Sequence, residues 1–297
     1  MNSSIFKGVL LVSLGATSYG MLATIVKLAY DENYTTAEVT ASQFILGILG
    51  VLIISLFQRI TAKKKPIQAS KKDVFQLMLA GTSLGMTSVF YYLCVKYIDV
   101  SIAIVMLMQT VWMGVLLEWI LDKQIPSTKK ILSVVLVLIG TILATNLINN
   151  SNTINYTGLF WGLLAAASFT TTMFTANRIA TNISASQRSL FMLLGGAIIV
   201  FGFGIYTQVT PFNYTIFLKW GILLALFGTI IPPLLMNAGF PITGIGLGSI
   251  VSALELPVSV LMAFLILNET VIFSQWLGVL IILLAIVLMN LNYKKKK

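Results

Sequence analysis

The chain has 297 residues, of which 58% are hydrophobic and 9% charged, too little polar surface to cover a soluble globule of this size. It carries a formal net charge of +10, one cysteine and no histidine, which excludes an intrachain disulfide and any metal site built on cysteine or histidine. The basic residues are dispersed over several loops rather than gathered in one patch, so the charge does not call for a nucleic-acid partner.

Apolar runs of about 20 residues, the length that crosses a bilayer as a helix, predict ten spans near 6–28, 35–58, 73–95, 100–121, 128–147, 156–178, 186–208, 213–236, 242–267 and 271–291. A β-barrel is excluded because Ile131 to Ile142 and Leu277 to Met289 are apolar on all sides, where barrel strands alternate. The fold class expected is an all-α polytopic membrane protein.

The first run is too long for a removable signal peptide, lacks a small-residue cleavage site, and is followed at once by a second span. Near its end Lys27 stands four residues before Asp31, which suits a surface ion pair or snorkelling to the interface, with a role in a cavity as the alternative. The segment Arg59 to Lys72 is strongly basic and too short to hold a nucleotide-binding domain. In the third span Gly81, Gly85 and Ser88 share a face that continues to Tyr91 or Tyr92. The glycines are expected to let helices approach closely. The tyrosines are expected as belt residues or an outer gate, and Cys94 as an apolar wall residue.

In the fourth span Gln109 and Trp112 share a face near mid-membrane. Trp119, Trp161, Trp220 and Trp276 all fall near predicted interfaces, where tryptophan anchors. Trp112 is therefore a candidate cavity wall, with a packing role as the alternative. Glu118, at the far end of that span, is expected to snorkel. The sixth span carries Ser168, Thr170 to Thr172 and Thr175, whose hydroxyls can bond back to their own helix. In the eighth, Pro232-Pro233 ahead of Asn237 should kink the helix, making that corner a candidate inner gate.

The most anomalous stretch is Leu254-Glu255-Leu256-Pro257 in the ninth span. A carboxylate at membrane depth is costly, at about 2.5–3.5 kcal/mol on insertion scales, and faces protein or water rather than lipid. Ser252, Glu255 and Ser259 are three and four residues apart and share one helical face. Glu255 has three readings: a structural group bonded near Pro257, a solute contact, or a proton-exchanging group. Glu269, near the start of the tenth span, reads as an interfacial residue favoured by a helix dipole. Gly244, Gly246 and Gly248 do not form a dinucleotide fingerprint, because the spacing is wrong and no strand precedes them.

Short cytoplasmic loops collect Lys and Arg. An N-terminus placed inside puts Lys7, Arg59, Lys63 to Lys65, Lys71, Lys72, Lys123, Lys129, Lys130, Arg178, Arg188 and Lys294 to Lys297 on the cytoplasmic face, leaving only Lys27, Lys96 and Lys219 near the other. Both termini are therefore expected in the cytoplasm. Lys63 to Lys65 and the terminal lysines are also suited to anionic lipid headgroups. The polar loop Asn149 to Tyr156 divides the chain into two five-helix halves, 1–148 and 149–297. An odd number of spans per half puts the halves in opposite orientations, the inverted-repeat plan of many secondary transporters. An offset of 146 sets Gln109 opposite Glu255.

The chain also resembles the drug/metabolite transporter superfamily, and within it the EamA-type permeases. Leu254-Glu255-Leu256-Pro257-Val258, Asn268-Glu269 and Gln275-Trp276-Leu277-Gly278 look like that family's Leu-Glu-Pro-Val, Gly-Glu and Gln-x-x-Gly segments. Tyr19-Gly20, Lys27 and Gln43-Phe44 lie where it tends to have Trp-Gly, Lys and Arg-Phe, with Gln43 a departure. The resemblance implies a secondary carrier of a small organic solute, an amino acid or other metabolite, often an exporter. Such a carrier works by alternating access and needs neither cofactor nor metal.

On this reading Gln109, Trp112, Ser252 and Glu255 meet across the midplane, with Tyr92 and Ser88 as further substrate contacts. Glu255 is the candidate coupling group for a proton or counter-solute, and Pro232 and Asn237 the candidate gate. No enzyme is expected, since there is no phosphate loop and no pair of carboxylates at membrane depth. The alternatives are a nucleotide-sugar or lipid-linked solute carrier, or a non-transporting sensor or assembly subunit with a sealed centre. A bacterial inner membrane is the expected location; sequence leaves the oligomeric state open.

Overall fold

The computed structural model describes residues 3–62, 67–98, 100–123, 125–145 and 155–290. Lys63 to Lys65, Asp99, most of the loop from Asn149, the boundary at 148/149 and Lys294 to Lys297 lie outside them. All regular structure among the described residues is helical. Eight helical stretches are long and apolar enough to cross a membrane, and Phe273–Met289 is apolar but shorter.

In chain order the helices are α1 (Ser3–Asp31), α2 (Thr36–Thr61), α3 (Lys71–Tyr97), α4 (Val100–Leu107), α5 (Thr110–Asp122), α6 (Thr128–Ala144), α7 (Tyr156–Arg178), α8 (Ala185–Thr207), α9 (Ile222–Ala225), α10 (Ile231–Thr243), α11 (Ile245–Ser252), α12 (Glu255–Ile266) and α13 (Phe273–Asn290). Two wide π turns, Phe217–Gly221 and Leu226–Ile230, join α9 and α10 into one run. Local sequence sets several starts. Thr35 with Glu38 and Ser70 with Asp73 make reciprocal capping boxes, and Asn155 caps α7, each satisfying N–H groups that a helix start leaves unpaired.

Two spans expected to be continuous are broken near their middles. Pro257 accounts for the second break: it has no N–H to give and its ring fits only the first turn of a helix, so α11 stops at Ser252 and α12 restarts at Glu255. The first break has no proline. The Gln109 N–H turns to the Met106 carbonyl, and the Gln109 side-chain amide donates instead to the Val105 carbonyl at 2.9 Å, replacing the lost backbone bond.

The halves repeat this plan at an offset of 145. Adding 145 to α4 (Val100–Leu107) gives the bounds of α11 (Ile245–Ser252), and adding it to Lys123 gives Asn268; these two residues close α5 and α12 with φ of 54° each. Thr110, not Gln109, therefore stands opposite Glu255. Packing repeats as well: α3 lies on α7 and α8, and its counterpart run through α10 lies on α1 and α2. The helices α6 and α13 pack on each other. A side chain on Gly140 would strike Gly278, while Ser133 donates to the Ala285 carbonyl at 3.2 Å; 140 and 285, like 133 and 278, are 145 apart. Gly81 and Gly195 bring α3 and α8 into backbone contact at Met192 and Met78, the packing expected of the small-residue pair.

Candidate functional site

Between the halves lies a cavity of about 610 Å³, within the size range of sites for small organic ligands. Gly20 lets α1 rest on the first turn of α12, where any side chain would meet the Glu255 carbonyl and Val258. This places the Tyr19 ring beside Glu255, and both line the cavity. Glu255 is half-buried. It sits at the start of α12, where a helix end favours negative charge, and its carboxyl makes no hydrogen bond or ion pair with a described residue.

Rings form much of the wall. Tyr19 meets Phe169 edge-on at 6.1 Å, Tyr30 meets Tyr92 at 6.5 Å, and Tyr92 meets Tyr91 at 6.3 Å. Ser88 also lines the cavity. Tyr91 and Tyr92 both face the cavity rather than serving as belt residues. At the rim Lys27 pairs with Glu269, not with Asp31, and both members of the pair are about half exposed.

The opposite end is closed. Tyr19, Leu84 and Phe169 also line a much smaller void of about 20 Å³, bounded beyond them by Pro233, Met236 and Asn237. Below it the Arg188 side chain, 2% exposed, donates to the carbonyls of Thr175, Ala176, Ile179 and Asn237. The Asn237 carbonyl needs that donor, because its helical partner four residues on is Pro241, which has no N–H. The Asn237 amide donates to Ser189 at 2.9 Å, and Asn177 donates to the Phe240 carbonyl at 2.7 Å. Arg188 is thus a buried clasp and not the loop cation expected from its place near a helix start.

Of the expected solute contacts, Glu255, Tyr92 and Ser88 line the cavity and Gln109, Trp112 and Ser252 do not. The Gln109 amide is used within its own chain segment, accepting from the Trp112 indole at 2.9 Å. Trp112 is 36% exposed on the outer surface. Ser252 is buried and donates to the Gly248 and Ser249 carbonyls. The four-residue constellation at the midplane is therefore not formed, because the break before α5 turns Trp112 outward. Pro232 is buried at the start of α10 and Asn237 is buried at the closed end of the cavity. Glu118 does not snorkel but pairs with Lys130.

Cavity residues that sequence reasoning missed include Gln43, Phe169, Gly228 and Thr229. The first had been noted only as a departure from a family pattern. A helix in which lipid-facing and core-facing sides are both apolar gives no signal of which way Phe169 points.

A model of the EamA-like transporter family matches residues 6–146 and 156–291. No curated protein matches the chain. A solved structure described only as "Crystal structure of protein" superposes with a TM-score of 0.81 at 12% identity, over 97% of this chain and 99% of that one, which speaks for the fold alone. The family match covers both halves, and its members are transporters rather than enzymes: this chain is a multi-pass membrane protein of the EamA-like transporter family.

Proposed function

We propose that the protein is a secondary carrier of a small organic solute, working by alternating access between two inverted five-helix repeats, residues 1–148 and 149–297. In this reading ten helices cross a bacterial inner membrane, α4 with α5 and α11 with α12 each making one crossing. Both termini are cytoplasmic, and the solute is exported. The observation that carries it is the cavity between the halves, with Glu255 in its wall, an exposed rim at Lys27 and Glu269, and a closure at Tyr19 and Phe169. One accessible side and one sealed side is the arrangement that alternating access requires.

A nucleotide-sugar carrier would want free cations in the cavity, and Lys27, already engaged by Glu269, is the cation lining it among the described residues. A non-transporting subunit would want a packed centre in place of the cavity. The test is uptake and efflux of an amino-acid and metabolite panel in vesicles holding the pure protein, with and without a proton gradient. Movement of a solute that Glu255→Gln abolishes supports both the carrier and the coupling role. Movement that survives the change keeps the carrier and assigns Glu255 to structure, and no movement by folded protein rejects the carrier.

A further inference from the structure

The charge inventory of the cavity runs against that of the chain. The protein as a whole carries +10, yet among the described residues the charged ones lining the cavity are Lys27, Asp31, Glu255 and Glu269. Glu269 takes up Lys27. Asp31 and Glu255 have no cationic partner among the described residues. A carboxylate or phosphate entering this space would meet carboxyls that have no cation of their own, whereas an ammonium would stabilise the ionised form of Glu255.

Two further polar groups in the wall are left over by the fold. Gln43 is 6% exposed and lines the cavity, yet its side-chain amide makes no hydrogen bond to a described residue, and its oxygen is buried without a partner. Beside it is Gly228, where any side chain would strike that amide. The carbonyl of Gly228 would accept from the residue four further on in an α turn, or five further on in a π turn. Those residues are Pro232 and Pro233, and neither has an N–H. Its neighbours are satisfied: Ser18 donates to the Phe227 carbonyl at 3.0 Å, and the Thr229 hydroxyl donates within the protein. Buried polar groups are ordinarily paired, so the Gln43 oxygen and the Gly228 carbonyl are acceptors left open to a donor from the cavity.

We propose that the cavity takes a small organic cation, an ammonium on an apolar or aromatic body. Its charge sits at Glu255, its N–H groups or other polar substituents reach Gln43 and the Gly228 carbonyl, and its body lies among Tyr19, Tyr91 and Tyr92. Ring faces attract cations where water is excluded, and tyrosines on two sides of one carboxylate supply both halves of that recognition. This rests on the reading of the cavity as a carrier's solute site and names the solute class.

The experiment is calorimetric titration of the purified full chain in detergent at pH 8.5 with three probes of one shape: benzylammonium, benzyl alcohol and benzoate. The cation is expected to bind at least tenfold more tightly than either of the others. Glu255→Gln is expected to remove that preference and Gln43→Leu to weaken the cation severalfold, with elution volume and melting temperature showing both variants folded. Equal or tighter binding of benzoate or the alcohol overturns the proposal, as does absence of cation binding or a cation affinity unchanged in Glu255→Gln. Should either variant fail to fold, the three-probe comparison on the wild type decides alone.

Flux in vesicles, with leak through protein-free vesicles subtracted, separates this from the carrier reading. Cation binding without any flux keeps the site and rejects the carrier. Flux of neutral or anionic solutes without cation binding keeps the carrier and rejects the cation site.

Discussion

Glu255 and Gln43 are polar groups without partners among the described residues, and such groups cost stability in return for what they can bind. Glu255→Gln and Gln43→Leu are accordingly expected to leave the protein as stable or more stable while cation binding falls, at least tenfold in the first and severalfold in the second. A gain of about 1 kcal/mol would raise the melting temperature by about 2–4 °C in a chain of this size, which differential scanning calorimetry resolves. Arg188→Met is expected to do the reverse. Its guanidinium satisfies four buried carbonyls, and orphaning even one costs about 1–3 kcal/mol, so the melting temperature should fall. Glu255 was legible in the sequence because a carboxylate beside a proline is an anomaly in an apolar run. Tyr19 and Phe169 were not singled out from the residue pattern, since rings are ordinary in such a chain. Trp112 was misassigned for the same reason: lipid and protein interior are equally apolar, so its position along the helix could be read but its direction could not.

At the scale of elements, prolines explain most departures from straight helices. Pro257 restarts α12, Pro232 and Pro233 accompany the π turn Leu226–Ile230, and Pro241 makes the Arg188 clasp necessary. The last link can be measured. Pro241→Ala restores an N–H for the Asn237 carbonyl, so Arg188→Met should cost less stability in that background than in the wild type. A double-mutant cycle on melting curves should give a coupling of about 0.5–3 kcal/mol, and strict additivity would sever Arg188 from Pro241. The departure from a regular α-helix at Pro232-Pro233 could be anticipated from the sequence, whereas the break before α5 could not. No proline or glycine marks it, and the Gln109 amide that replaces the lost bond looks from sequence like any buried amide. That break, together with its counterpart, fixes the repeat offset at 145 rather than 146.

At the scale of the molecule, the division into two halves was visible in the spacing of apolar runs, but the cavity between them depends on which helix faces turn inward. The proposed topology is open to direct labelling, because Cys94 is the chain's single cysteine and is buried. In a Cys94→Ala background, Ala62→Cys should react with an impermeant maleimide only from the cytoplasmic side and Asn213→Cys only from the opposite side. Reactivity of both from one side would overturn the inverted arrangement of the halves. Close packing is testable as well: Gly81→Leu must push α3 off the Met192 backbone. Overpacking of this kind costs about 1–3 kcal/mol or more, read as a lower melting temperature and a larger aggregated fraction on gel filtration.

The two ends of the cavity are held by different forces. The rim depends on the exposed Lys27–Glu269 pair, a contact between full charges in reach of mobile ions. The sealed end depends on aromatic contact and on a buried guanidinium bonded to main-chain oxygen. Dissolved salt weakens exposed charge pairs and leaves buried dipolar contacts largely untouched, since screening acts within about 8–10 Å through water at ordinary ionic strength. Raising the salt therefore loosens the mouth and spares the seal.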